Sequence, residues 1–438
     1  MYKKLFQDST IYGLGAILIK SLAFFTLPIY TRVFTPEEYG VIEMFTTIGS
    51  LISIIMTMGL DSAQSYYFME AKNKATHKIE EITTSILCLR MGIGVCVIGL
   101  VGALAPFVLD FAFNTEIPKL YLFLVSLSIY FANLISQSLE VFRLIYKPWH
   151  YISLSLVQTL SSIGTIFYLI LVRDMGMTGY FLGMAISYFF VVLICWFATK
   201  DYRAREAFDH RLWPKFLKFG VPLVPAGMSI WFMQAGDRWF VMNMLGSHDL
   251  GIYAVGAKIS VMLTLAVSIF RQAWWPIAMD MIHKPEGVMF FRRISLLYIV
   301  AAAVGAVVLT LIAPLLIRIL ADEEYQESYR LVGLLGWAAA LYGFYMLSDL
   351  GILKSKKTYL SVCTNFTGAI LNIILNCFLI QHYGMLGAAY ATVISLMVTN
   401  VLNMYISQRL MPLKWDWLVY GVVVGGSLCT VIYLGGGL

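Results

Sequence analysis

Lys20, Lys258 and Arg271 stand deep inside stretches that are otherwise apolar. Ionisable side chains in such surroundings are costly and usually face a polar cavity. Lys20 lies about twelve residues from the inner end of its stretch, roughly 18 Å at about 1.5 Å per helical residue. Lys258 lies about eight residues from the outer end of a long stretch, and Arg271 about ten from an inner end. At such depths snorkelling is difficult, so the three are expected to line a polar interior. Arg grips phosphate bidentately and Lys supplies a point charge, so that interior would suit an anion, and a diphosphate head group fits. The competing reading is that these cations only pair with Asp61 or Asp237 and hold helices together. Asp61 and Asp237 are candidates for coupling to H+ or Na+, because a carboxylate withdrawn from water can carry a proton. Simple charge pairing is the alternative for both. Arg238, beside Asp237, is expected to pair with a neighbouring acid. Arg90, Glu140, Asp280 and Asp349 fall near inner ends and Glu43 near an outer end, where solvated or snorkelled side chains are the simpler expectation.

The elements that would position these residues follow from composition. The chain has 438 residues, 60% of them hydrophobic and 13% charged. A soluble domain carries about 25% charged residues, so this chain needs lipid as its solvent. Hydropathy gives thirteen spans, each close to the roughly 20 residues a bilayer requires: 9–31, 41–68, 82–109, 120–146, 152–172, 178–198, 219–245, 250–281, 294–320, 329–353, 359–381, 384–408 and 417–434. The first is too long for a signal-peptide core and is read as retained. The six cysteines lie within apolar stretches and form no C-x-x-C pair, so they are expected to be buried free thiols. No G-x-x-x-x-G-K-[ST] and no H-E-x-x-H occurs, which argues against ATP hydrolysis, metal catalysis and any enzymatic role. No cofactor is expected. Any driving force must come from an ion gradient, the membrane potential or the substrate gradient.

Charge orients the spans. With a cytoplasmic N-terminus, 21 of the 31 Lys and Arg fall in inside loops and 5 in outside loops, as the positive-inside rule requires. The outside loops carry acids instead, among them Glu37, Glu38, Asp322, Glu323 and Glu324. The net charge of +6 therefore belongs to membrane topology and not to nucleic-acid binding. The longest inside loop, 199–218, separates two halves that resemble each other. At an offset of 208 a Gly-Met-x-Gly turn recurs, Gly176–Gly179 with Gly384–Gly387, and at 211 Gly40 meets Gly251. Six spans per half make a parallel repeat, a known transporter architecture. The expected organisation is a six-helix bundle at 1–199, a cytoplasmic linker at 200–218, a second six-helix bundle at 219–410 and an extra helix at 411–438.

The stretch Phe34-Thr35-Pro36-Glu37-Glu38-Tyr39-Gly40 resembles the Wzx-type O-antigen and exopolysaccharide flippases. So do Asp237-Arg238 and the downstream Leu250-Gly251-Ile252-Tyr253-Ala254-Val255-Gly256-Ala257-Lys258. These flippases belong to the multidrug/oligosaccharidyl-lipid/polysaccharide exporter superfamily. The resemblance covers nearly the whole chain through short motifs. It implies an all-α polytopic membrane protein with two parallel six-helix bundles around a central cavity, working by alternating access. Many such proteins carry two extra helices after these twelve, whereas here only 417–434 follows, so the expectation is either thirteen spans or a further terminal helix beyond this sequence. It implies a bacterial inner-membrane location and a polyprenyl-diphosphate-linked glycan as substrate, with the polyprenyl tail left among membrane lipids. A polysaccharide polymerase and glycosyltransferases are the implied partners. Residue by residue, Asp237, Arg238 and Lys258 match the family pattern, whereas Lys20 and Arg271 rest on depth alone. An ion-coupled multidrug or metabolite antiporter of the same fold competes with this reading, and so does a non-transporting scaffold for polysaccharide assembly, against which the mid-membrane charges argue. A major-facilitator fold is disfavoured, because 69–81 lacks that fold's Gly-x-x-x-Asp-Arg-x-Gly type of signature.

Overall fold

The computed structural model describes residues 13, 15, 17–19, 21, 22, 24–74, 79–113, 116–282, 284–357, 359–413 and 415–437. Among the described residues regular structure is entirely helical, and twelve helices are long and apolar enough to cross a membrane. Each corresponds to one of the expected spans from the second to the thirteenth, the last being Trp417–Gly436. Eight of the 23 residues of the first expected span, Lys20 among them, lie outside the described residues.

In chain order the helices are α1 (Leu27–Val33), α2 (Pro36–Thr57), α3 (Leu60–Lys74), α4 (Ile79–Ala103), α5 (Ala105–Ala112), α6 (Lys119–Leu144), α7 (Pro148–Phe167) and α8 (Gly176–Ala198). Then come α9 (Trp213–Gly220), α10 (Val224–Leu245), α11 (Ser247–Met281), α12 (Gly287–Leu320), α13 (Tyr329–Ser348), α14 (Leu350–Ser355), α15 (Tyr359–Tyr383), α16 (Met385–Leu410) and α17 (Trp417–Gly437). They gather into two compact units, one of residues 1–26 and 44–228, the other of 27–43 and 229–438.

In the first unit α6 packs against α4, α7 and α8, and α3 packs against α4 and α9. The segment after α8, read from sequence as a linker, is folded: three short 3-10 turns lead into α9. Leu212 and Phe216 are buried there with Leu60, Ala63, Ile82 and Ile86. Several spans that hydropathy alone reads as continuous are broken, and two of the breaks lie together in the first unit. Between α2 and α3, Met58 and Gly59 adopt φ of 44° and 68°. Between α9 and α10, the chain turns through Val221–Leu223 with Pro222 at a helix N-terminus, where a missing N–H costs nothing. The two breaks touch. A Cβ on Gly59 would land on the Gly220 carbonyl, and one on Gly220 would land on that of Met58.

In the second unit α13 is the central helix, packed by α11, α12, α16 and α17. Trp337 on it is fully buried. Asn and Thr side chains tie α13, α15 and α16 together: Asn400 donates to the Leu341 carbonyl at 2.9 Å, and Thr364 donates to Asn403 at 2.7 Å. The Gly-Met-x-Gly turn has the same local form in each unit, with Gly176 at φ 50° and Gly384 at φ 58°, each beside the start of a helix.

Exposure corrects one expectation about the cysteines. Only Cys195 is buried, whereas Cys96, Cys363, Cys377 and Cys429 are exposed on helix surfaces. In a lipid solvent the outward face is as apolar as the core, so an apolar stretch does not by itself place a thiol inside.

Candidate functional site

Local sequence builds the site in the second unit. Thr35 caps α2: its hydroxyl accepts from the Glu38 N–H at 3.3 Å, and the Glu38 carboxylate accepts from the Thr35 N–H at 3.2 Å. This reciprocal capping box, with Pro36 at the first helical position, fixes where α2 begins. Tyr39 and Glu43, four residues apart, then share one face of the helix. Gly40 lets that face approach the start of α11, since a Cβ there would overlap the Ser247 carbonyl, and Gly251 is packed against Pro36 in the same way. The two short motifs that carry the family resemblance are thus in direct backbone contact.

The opposing side comes from the hairpin of α10 and α11, which turns at Gly246 with φ of 102°. Asp237 and Arg238 stand a little over two turns before Gly246 and Tyr253 about two turns after it, so the hairpin brings them to similar depth. Tyr253 donates its hydroxyl proton to Asp237. The other Asp237 oxygen accepts from the Arg238 backbone N–H at 2.9 Å and from its Nη1 at 3.2 Å. Arg238 Nε donates to Glu43 Oε1 at 2.9 Å, and Nη1 also donates to the Gln234 carbonyl at 3.0 Å. Lys258 donates to the Tyr39 hydroxyl, lies 4.7 Å from the centre of that ring and stands 3.9 Å from Glu43 Oε2. The Glu43 side chain is 12% exposed, that of Arg238 18% and that of Lys258 39%. Two carboxylates and two cations therefore meet in one partly water-shielded cluster of no net charge.

Of the residues singled out from sequence, the structure brings Asp237, Arg238, Lys258 and Glu43 together. Arg271 is on α11 with Lys258 but thirteen residues further on, about 20 Å along the axis. It is exposed and has no ion-pair partner among the described residues. Lys20 lies outside the described residues. Asp61, in the first unit, is the counter-ion of Arg90, which also donates to the Asn133 carbonyl at 3.5 Å. Arg90 and Glu140 do not snorkel: both are buried, and Glu140 accepts from Ser65 at 2.6 Å and from Arg143 at 2.7 Å. Each is held by partners on other residues of the bundle, which is why depth from the helix end misplaces them. Asp349 accepts from Ser361 at 2.6 Å, and Asp280 is exposed and paired with Lys284 at 2.6 Å. No group of three or more His, Cys, Asp or Glu arranged to hold a metal occurs among the described residues.

Sequence reasoning missed Glu43, Tyr39 and Tyr253. Glu43 was assigned to a solvated end, although its i, i+4 relation to Tyr39 inside a family motif marks a shared face. Its partner Arg238 is 195 residues away, a pairing that no local signal carries.

Comparison with known proteins agrees with this architecture. Among solved structures, the lipid II flippase MurJ in an inward closed conformation superposes with a TM-score of 0.73 at 14% identity, covering 96% of this chain and 91% of that one. An inward-facing multidrug resistance MATE family transporter of the MOP superfamily gives 0.72 at 14% identity, covering 90% and 95%. At such identities the likeness is one of fold. A protein of the Lsg locus of Haemophilus influenzae is 25% identical over 279 residues, and the match takes in 62% of this chain and 65% of that protein's length. A membrane protein of Methanocaldococcus jannaschii is 21% identical over 409 residues, 89% of this chain and 94% of its own. The polysaccharide biosynthesis protein family matches over residues 5–282, which is more than half of the chain. With its helical architecture and transporter-like fold, this multi-pass membrane protein belongs to the polysaccharide biosynthesis protein family.

Proposed function

We propose that the protein is a flippase that carries a polyprenyl-diphosphate-linked oligosaccharide from the cytoplasmic to the outer leaflet of a bacterial inner membrane by alternating access, with its N-terminus in the cytoplasm. The observation that carries this reading is the pair Arg238 and Lys258, two cations from one helical hairpin converging on a single carboxylate, Glu43, within membrane-spanning helices. A guanidinium and an ammonium held side by side form a receptor for two adjacent phosphates. Arg271, on the same helix and without an ion-pair partner among the described residues, and Lys20 are further proposed contacts to the anion. Membership of a polysaccharide biosynthesis family supports a glycan as cargo, and the likeness to a lipid II flippase supports a lipid-linked one. Asp61 and Asp237 remain the proposed carboxylates for H+ or Na+ coupling, and a polymerase and glycosyltransferases the proposed partners.

The test is reconstitution in proteoliposomes with a fluorescent short-chain polyprenyl-diphosphate oligosaccharide. Leaflet transfer is followed by quenching from outside. Transfer that falls at least tenfold in Lys258→Ala, with normal insertion, supports the reading. The near-equal likeness to a multidrug transporter favours a second reading, an ion-coupled antiporter of drugs or metabolites. Uptake of a cationic dye against H+ or Na+, with no movement of the lipid-linked glycan, would select that alternative.

A further inference from the structure

We propose that Glu43 is an internal counter-anion which the substrate's diphosphate displaces, and that its ion pairs hold the segment Leu27–Glu43 closed against α10 and α11 until that happens. The inference rests on the flippase reading for the identity of the displacing anion. The geometry points to it because Arg238 and Lys258 are already occupied. Arg238 Nε is 2.9 Å from Glu43, and Lys258 Nζ is 3.9 Å from the other oxygen of the same carboxylate. A diphosphate cannot share those donors with a carboxylate a few ångströms away in a water-poor site, where like charges repel strongly. One anion must leave.

The structure also identifies which one. Asp237 belongs to the same helix as Arg238 and is fixed there by the Tyr253 hydroxyl and by the Arg238 backbone N–H. It is a permanent partner. Glu43 comes from α2, at the end of the segment Leu27–Glu43, which is distant in sequence from the rest of the second unit. It is the exchangeable partner. Its departure leaves Arg238 paired with Asp237, so no buried charge is orphaned, which keeps the exchange inexpensive.

Other ties of this segment include ones that can separate reversibly. Thr31 donates to the Leu320 carbonyl at 3.3 Å, and Tyr325 donates to the Phe34 carbonyl at 2.8 Å. Tyr39 is packed edge-on to Tyr325 at 6.0 Å, and Glu37 meets His248 at 2.8 Å in an exposed pair. Glu43 supplies a buried charged tie, and charge-assisted bonds of this type are about twice as strong as neutral ones. Glu43 is therefore a positioning residue with two effects. It keeps the segment docked, and it makes undocking conditional on a better anion.

The reporter is Thr31→Cys, a near-isosteric change at a side chain that is 2% exposed and faces Leu320. Labelling by a membrane-impermeant maleimide is measured in right-side-out and inverted vesicles, with and without farnesyl diphosphate, against vesicles of the parent protein. In the Glu43 background, labelling is expected to be low and to rise at least threefold with farnesyl diphosphate. Glu43→Gln should be labelled at the raised level without ligand, on the same face. Glu43→Asp, which keeps the charge but shortens the reach, should be intermediate, and it serves as the test if the Gln variant does not reach the membrane. Labelling of Glu43→Gln or Glu43→Asp equal to that of the Glu43 background would overturn the proposal. So would a protein that moves the lipid-linked glycan yet shows no rise with farnesyl diphosphate. If Glu43→Gln opens the segment while the protein neither moves the glycan nor responds to the ligand, the failure lies in the substrate reading, and displacement by diphosphate falls with it.

Discussion

Asp61 and Arg90 make an unequal pair, and the inequality predicts which partner the fold can lose. The Arg90 side chain is 1% exposed and that of Asp61 is 44% exposed. Removing one member of a fully buried pair costs about 3–5 kcal/mol, because the other is left charged and unsolvated. Asp61→Asn leaves Arg90 in that position, with the Asn133 carbonyl still accepting from it. Partial solvation of the carboxylate means less is lost than in a fully buried pair, so the expected cost is about 1.5–3 kcal/mol. Arg90→Met instead removes the buried charge and leaves a half-exposed carboxylate that water can solvate, so its cost should stay below about 1 kcal/mol. The double variant should match Arg90→Met. For a folding unit of about 200 residues, 2 kcal/mol lowers the unfolding midpoint by roughly 4–8 °C. Thermal unfolding of the purified protein in detergent, followed by tryptophan fluorescence, measures the order of stabilities. An Asp61→Asn variant as stable as Arg90→Met would refute the argument. The same double variant also separates packing from coupling. If Asp61 carries the coupling ion as well, Arg90→Met/Asp61→Asn should be stable in proteoliposomes yet lose its response to an imposed pH or Na+ gradient.

Arg271→Ala should insert normally and lose roughly tenfold or more of glycan transfer, since a charge-assisted contact to phosphate is worth about 1.5–3 kcal/mol; wild-type transfer would remove Arg271 from the substrate path. Thr35→Ala should cost about 1 kcal/mol through loss of the cap. Gly40→Ala should cost more, about 1–3 kcal/mol, because its methyl group collides with the Ser247 backbone; the comparison of unfolding midpoints tests the order. Reporter fusions at Ala207 and Ser355 should read cytoplasmic and those at Glu37 and Glu323 external, and a cytoplasmic Glu323 would refute the assigned topology.

Much of the helical order was legible because lipid imposes a length and an apolar composition on every span. The repeat was legible at its turns, where Gly176 and Gly384 need a positive φ that other residues resist. Asp237, Arg238 and Lys258 were legible as matches to the family pattern, though not as neighbours of Glu43. What hydropathy could not supply is direction. Along an apolar helix nothing distinguishes a face turned to lipid from one turned to protein, so the exposed Cys363 and the buried Arg90 were both misjudged. Nor could it supply the interruption at Met58, whose side chain is as apolar as its neighbours although its φ is 44°. The Glu43–Arg238 pair was hidden for a related reason: charges that meet across 195 residues leave no periodic trace.

The meeting of the two helix breaks in the first unit has a genetic consequence. The space that a side chain would need at Gly59 is filled by the backbone of Gly220, and the space needed at Gly220 is filled by the backbone of Met58. A backbone has no smaller version to retreat to. Ordinary core neighbours can drift together through a large residue on one side and a small one on the other, but this pair cannot. A methyl group added at either position meets main chain, and no second substitution opposite can make room for it. Suppressors of Gly59→Ala or Gly220→Ala should therefore map to residues that shift a whole helix, and not to the facing glycine.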